Sequence, residues 1–251
     1  MTKQSVQTLL QQRHDDMTKS REVMFTALYG SQNYGLAVPG SDVDAYSVYL
    51  PTKEDLVFGR TRTVTHKTET GNVTGKDIRD MAAAYMKQSI NFCETLVTPY
   101  VIVNPTYKEE VSQLRWNADN IISANLYQQL RTTAGMMLNQ RDKAMKSDDM
   151  RAAVRAMHCA QFIMRRLEGA SFDDAIMAKN APGDIYTVML AMKRGYIGDM
   201  KEMERLVDMA RTAWDRYKDD HDESEYDDDV ARAKTVLAGI AYSAMTRHLE
   251  R

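Results

Sequence analysis

Residues Tyr29 to Asp44 read Y-G-S-Q-N-Y-G-L-A-V-P-G-S-D-V-D, a Gly-Ser pair and two aspartates one residue apart, with ten residues between them. Two residues apart on an extended chain, Asp42 and Asp44 point to the same face and can share divalent cations. Gly30 lets a phosphate approach the backbone beside the Ser31 hydroxyl. On the near side, the apolar run from Val23 to Tyr29 reads as a buried strand. On the far side, Ala45 to Leu50 continues Asp44 as a second strand that stops at Pro51. The expected frame is strand, turn, short helix, strand.

Short acidic motifs match by chance, and a Ser-Asp-x-Asp turn can serve capping alone. The flanking strand patterns and the fixed distance to Gly30-Ser31 are what make the pair a candidate site. Its chemistry suits phosphoryl and nucleotidyl transfer, where positioned metal ions offset charge on the attacking and leaving oxygens. Carboxylates are the hard oxygen ligands that magnesium prefers.

Gly30-Ser31, ten residues, Asp42-x-Asp44 resembles the signature of the DNA polymerase beta superfamily of nucleotidyltransferases. The longer form, Gly30-Ser31-x-x-Tyr34-Gly35-Leu36 followed by Ser41-Asp42-x-Asp44, is similar to the polymerase-beta-like nucleotidyltransferases associated with RNA repair. The resemblance runs from about Val23 to Leu96 and, more faintly, from about Gln140 to Gly169. Relatives often carry Arg-Ala before the Tyr-Gly; this chain has Gln32-Asn33, one cation fewer beside the phosphates. The resemblance implies magnesium, with manganese as a substitute, and a nucleoside triphosphate bound against Gly30 and Ser31. It implies transfer of a nucleoside monophosphate to an acceptor hydroxyl, with release of pyrophosphate and an RNA 3′ end as acceptor. Nucleotidylation of a protein hydroxyl is the alternative reaction. A nucleotide-binding interaction module is the non-enzymatic one, against which the presence of Asp42, Asp44 and Asp77 argues.

A third carboxylate is expected to complete the metal set, and Asp77 is the candidate. Val73 to Ile78 reads as a short extended segment after the polar, hairpin-like stretch Thr63 to Thr70 and a Gly71-Asn72 turn, and it leads into a helix from Arg79 to Gln88. The resemblance places the family's third acid on this Lys-Asp-hydrophobic element, upstream of Asn91-x-x-Glu94-x-Leu96. Asp77 can equally be the N-terminal cap of that helix. Asp80, inside the first helical turn, is the rival for the ligand role. Glu94 reads as a structural, buried or half-buried hydrogen-bonding acid.

Downstream of about residue 125 nearly everything reads as helix, with segments at Leu126 to Lys146, Asp149 to Leu167, Asp173 to Lys179, Ile185 to Arg194, Asp199 to Lys218 and Asp227 to Leu249. Upstream lie the strand signals, including Tyr100 to Val103. The expected class is α+β, a small mixed β-sheet, palm-like catalytic domain over residues 1–125 followed by an all-helical domain over 126–251. In the second helix of that domain, Arg151, Arg155, His158, Phe162 and Arg165 fall within a sector of about 80° by helix geometry. This basic stripe is either a solvated face or a grip on phosphates, with Arg151, Arg155 and His158 as nucleotide contacts. Arg141, Lys143 and Lys146 add cations just upstream.

Composition bounds the rest. The 251 residues, 43% hydrophobic, can bury one large core or two small ones. Two cysteines, Cys93 and Cys159, are too few for a disulfide scaffold. No apolar stretch approaches the ~20 residues of a membrane span, and the polar N-terminus lacks a signal-peptide core, so a cytoplasmic protein is expected. The formal charge of −2 hides eight acidic residues between Asp219 and Asp229, outside which 33 basic groups face 27 acidic ones. That run reads as a solvated loop leading into the last helix. Eighteen methionines read as adaptable core.

Overall fold

The largely apolar run from Glu22 to Tyr29, buried at every interior position, forms β1, and Asp44 to Leu50 forms β2; the two pair antiparallel, Tyr29 opposite Asp44. The computed structural model describes residues 3–60, 63–196, 198 and 200–251. β3 (Val64–Thr68), β4 (Gly71–Asp77) and β5 (Val101–Val103) complete a mixed five-stranded sheet of order β3-β4-β2-β1-β5. β4 runs parallel to β2, while β3 and β5 pair antiparallel with β4 and β1. The small mixed sheet of the α+β reading is therefore present.

Two local expectations change. The linker from Ser31 to Gly40 is a series of turns and open chain rather than a short helix. Gly35 and Gly40 take φ of 85° and 80°, outside the helical region, and Pro39 cannot donate a helical hydrogen bond. Gly71-Asn72 opens β4 instead of forming a turn, and the reversal falls at Glu69-Thr70.

Helices cover both faces of the sheet. α1 (Lys3–Thr18) lays Val6, Leu10 and Met17 against Leu28, Val43, Ala45, Tyr49 and Val73. Its apolar stripe is narrow and interrupted by a buried Arg13. α2 (Lys53–Val57) opens on a Thr52–Asp55 capping box. A single 3-10 turn, Ile78–Asp80, leads into α3 (Met81–Met86), and α4 (Ile90–Val97) brings Phe92 onto Tyr46 and Tyr85, with centroids 5.1 and 4.4 Å apart. α5 (Lys108–Trp116) and α6 (Ala118–Ile122) follow β5.

The remaining helices are α7 (Leu126–Ser147), α8 (Met150–Leu167), α9 (Phe172–Ile176), α10 (Ile185–Lys193), α11 (Met200–Asp220) and α12 (Asp227–Leu249). Asp199, the expected start of α11, lies outside the described residues. The chain divides into two compact units, one of residues 1–32, 39–124 and 227–251, the other of 33–38 and 125–226. The break at 124/125 falls beside the expected boundary, but the last helix does not follow it. α12 belongs to the first unit, where His248 meets Glu22 Oε2 at 3.1 Å and the Pro51 carbonyl at 3.0 Å, and Arg247 donates to Glu110 at 3.1 Å. In the second unit α8 is central, packed by α7, α9, α10 and α11. Asp149 caps it, accepting from Arg151 N at 2.9 Å and Ala152 N at 3.0 Å. The acidic run ends α11, crosses a short exposed connection and supplies the first turn of α12 with Asp227, Asp228 and Asp229, where negative charge favours the helix dipole.

Candidate active site

Strand pairing brings the two ends of the motif together. Tyr29 stands opposite Asp44, so Gly30 and Ser31 leave the sheet at the point where Asp42 and Asp44 enter it. Gln32 Nε2 donates to the Ser41 carbonyl at 3.3 Å, closing the base of the loop. Gly30 has φ of 96°, and no heavy atom stands within 4 Å of where a Cβ would sit. Its backbone is open to an approaching group.

Around Val43 the side chains alternate: Asp42 is exposed, Val43 is buried and Asp44 is half-buried. The two carboxylates thus share a face, although Asp42 precedes the strand itself. Asp44 Oδ1 accepts from Asn72 N at 2.9 Å and from Asn72 Nδ2 at 3.3 Å. Burial holds the Asp44 carboxyl above its ordinary value; the Asn72 amide works against this and the neighbouring Asp42 charge adds to it. Among the described residues neither aspartate forms an ion pair. Tyr29 and Tyr46 stack beside them with centroids 4.5 Å apart, and burial followed by the Asp44 charge keeps the Tyr29 phenol strongly protonated.

Glu94 takes the structural role its burial suggests. At 1% exposed, it accepts the Gly30 N–H with both carboxylate oxygens at 3.1 Å. It therefore fixes the Gly30 turn, and Gly30 presents open space rather than a free amide.

Asp77 stands elsewhere. It pairs with Tyr49, five residues beyond Asp44 on β2, which at ~3.3 Å per residue is roughly 16 Å along the strand and on the opposite face. Its Oδ1 accepts from Arg79 N at 2.9 Å and Arg79 Nε at 3.0 Å, and its Oδ2 from Arg79 Nη2 at 2.7 Å. It is the cap of the Ile78–Asp80 turn and the partner of Arg79, which is the capping alternative for this residue, and the structure does not bring it together with Asp42 and Asp44. Asp80 ends the same 3-10 turn, immediately before α3. Among the described residues no group of three or more acids, histidines or cysteines could hold a metal ion.

The stripe on α8 separates into two halves. Arg151 and Arg155 are exposed and form no ion pair among the described residues. His158 is 5% exposed, stacks on Tyr34 with centroids 4.0 Å apart, and places Nε2 2.7 Å from the Ile176 carbonyl. That contact requires a proton on Nε2, and burial depresses the imidazole pKa to about 4. His158 is thus a neutral, buried residue that packs on Tyr34. Phe162 is buried and Arg165 donates to the Asn180 carbonyl. Upstream, Arg141 pairs with Asp142 at 2.7 Å and Lys143 with Asp149 at 3.1 Å. An open groove of about 400 Å³ between α7 and α11 is rimmed by Arg131, Arg141, Arg211 and Lys218. Each of these cations already has an acidic partner, Glu223, Asp142 or Asp215.

Sequence reasoning missed Asn72 and Arg13. Nothing local in the sequence marks Asn72, because its contact with Asp44 follows from the parallel register of β2 and β4. Arg13 carried a signal: it is the one cation on an otherwise apolar α1 stripe of Val6, Leu10 and Met17.

The Gly30-Ser31/Asp42-x-Asp44 arrangement is the one expected of a nucleotidyltransferase of the polymerase beta type, and the family comparison bears out that class. The RNA repair pathway DNA polymerase beta family (RlaP) matches residues 2–169, well over half of the chain, and the protein belongs to that family. No curated protein matches it. Among solved structures it is similar to a nucleotidyltransferase-like protein from Exiguobacterium sibiricum 255-15, at 10% identity and a TM-score of 0.38 over 93% of this chain and 89% of that one. No helix among the described residues is long and apolar enough to cross a membrane.

Proposed function

We propose that the protein transfers a nucleoside monophosphate from a nucleoside triphosphate to an RNA 3′ hydroxyl, releasing pyrophosphate, with magnesium or manganese held by Asp42 and Asp44. The observation that carries this reading is the pair itself: two carboxylates on one face, without a cationic partner among the described residues, beside the open space at Gly30 and the Ser31 hydroxyl. The donor set fits such an ion, since magnesium is commonly held by one or two carboxylates with substrate phosphates and water completing its shell. When bound, the metal would neutralise developing phosphate charge and lower the pKa of the acceptor hydroxyl.

The chain's own residues do the positioning. Asn72 fixes one oxygen of Asp44 and leaves the other for a ligand. Glu94 holds the Gly30 turn so that the Ser31 hydroxyl, which makes no hydrogen bond among the described residues, can meet a phosphate oxygen. Asp77 has no part in this reading. Arg151 and Arg155 are cations available to a polyanion such as the RNA backbone.

The test incubates the protein with each labelled triphosphate, magnesium or manganese, and either RNA pools or cell lysate. Label on RNA 3′ ends, dependent on metal and lost in Asp42→Asn and Asp44→Asn, supports the proposal. Label on protein with no RNA extended would replace the acceptor with a protein hydroxyl. No transfer under any condition would leave a nucleotide-binding module.

A further inference from the structure

Arg13 is 2% exposed in the middle of the α1 core and forms no ion pair among the described residues. A buried guanidinium is costly unless its hydrogen bonds repay the lost solvation, and an apolar side chain at the same place in an apolar stripe would avoid the cost. Its bonds reach the segment that carries the two aspartates and the β3–β4 reversal beside it. Nε donates to the Val43 carbonyl at 3.4 Å and Nη2 to Thr70 Oγ1 at 2.6 Å.

Val43 is the residue between Asp42 and Asp44, and it is held from every side. Its N–H donates to the Thr70 carbonyl at 2.8 Å, its carbonyl accepts from Arg13, and its side chain is fully buried. Gly71, at φ of 132°, lies so close that a Cβ there would stand 2.3 Å from the Val43 oxygen. Asn72 then takes up Asp44. Thr70, Gly71 and Asn72 thus grip Val43 and Asp44 in succession, and Arg13 is the group that ties both segments together from beneath.

We propose that Arg13 is the positioning residue of the Asp42–Asp44 pair: by bridging the Val43 carbonyl and Thr70 it sets the backbone that aims both carboxylates at one cation. The proposal rests on the metal-binding reading above. Arg13 does not touch the ion or the substrate; it acts through Val43. Its guanidinium suits this because it spans two acceptors with a rigid fork, which a lysine ammonium cannot reproduce.

The test titrates the protein with Tb3+, a hard, oxygen-seeking cation whose emission is sensitised by nearby tyrosine, here Tyr29 and Tyr46. Wild-type protein should show saturable emission that Asp44→Asn loses. In Arg13→Met the apparent Kd should rise by about five-fold or more, and by roughly two-fold in Arg13→Lys and Thr70→Val, a fraction of the worth of the charge-assisted bonds removed because they act on the ion only through the Val43 backbone. Leu10→Ala, on the same face of α1, should lower Tm and leave the Kd unchanged. If Arg13→Met does not fold, Thr70→Val decides the matter. Equal Tb3+ signals in wild type and Asp44→Asn would overturn the metal reading and this inference with it. A loss in Asp44→Asn together with wild-type or tighter binding in Arg13→Met would overturn the inference alone.

Discussion

Asp44 and Asp77 lie on neighbouring parallel strands and have opposite fates. Asp44, half-buried at the start of β2, receives only the neutral Asn72 amide and keeps capacity for a cation. Asp77, fully buried at the end of β4, is saturated by three hydrogen bonds from Arg79. A carboxylate that the fold has already neutralised cannot also serve as a metal ligand without giving up its partner. Availability, rather than residue type, separates the catalytic candidate from the structural acid.

The strongest challenge to this contrast comes from amide substitutions. Asp42→Asn and Asp44→Asn should each lower nucleotide transfer by about a thousand-fold or more, the scale of losing a group needed only in the transition state. Thermal unfolding of the apo forms should be unchanged or slightly raised, because one of two repelling charges is removed. Turnover near wild type in either variant would remove the pair from the mechanism.

At the other end of the sheet the same change should reverse its profile. Asp77→Asn keeps the cap and loses the ion pair, so transfer should stay within about three-fold of wild type while Tm falls. Arg79→Met should be the more damaging, by about 3 kcal/mol in denaturant unfolding, because it leaves a buried carboxylate unpaired. Loss of transfer in Asp77→Asn at unchanged Tm would return that residue to the active site.

His158 extends the comparison to the second unit. The unfolded chain takes up this proton near pH 6.5, whereas the folded imidazole holds it only below about pH 4. Between those values the unfolded state binds more protons, so stability falls as pH falls through this window, by an amount of order 2 kcal/mol. His158→Gln should flatten the dependence of Tm on pH between 6.5 and 4; an unchanged slope would show that the group is accessible and titrates normally. The smallest effect belongs to Arg151 and Arg155. Replacing both with Gln should leave Tm within about 1 °C of wild type, yet weaken RNA binding several-fold and reduce its salt dependence, since two fewer phosphates are neutralised. Unchanged RNA affinity would make them a plain solvated face.

The motif from Gly30 to Asp44, its two strands and the helical second half were legible in the chain because each rests on local periodicity and turn chemistry. Short apolar runs bounded by turn residues and a proline write β1 and β2 into the chain, and Leu126 to Leu167 carries the helical repeat of α7 and α8. The share of a face by Asp42 and Asp44 follows from the two-residue period of an extended chain, with no partner needed. What lay beyond the sequence depends on register and burial. Asp77 fits both a ligand and a cap until the parallel pairing of Tyr49 with Asp77 places it far from Asp44 and against Arg79. The α8 stripe is continuous on a helical projection, but neighbouring helices bury its His158 end and leave Arg151 and Arg155 in solvent. Asn72 reaches Asp44 across 28 residues of chain, and Arg13 reaches the Val43 carbonyl across 30. Local propensity cannot encode such contacts, because they exist only once strands β2 and β4 and helix α1 have packed into one core.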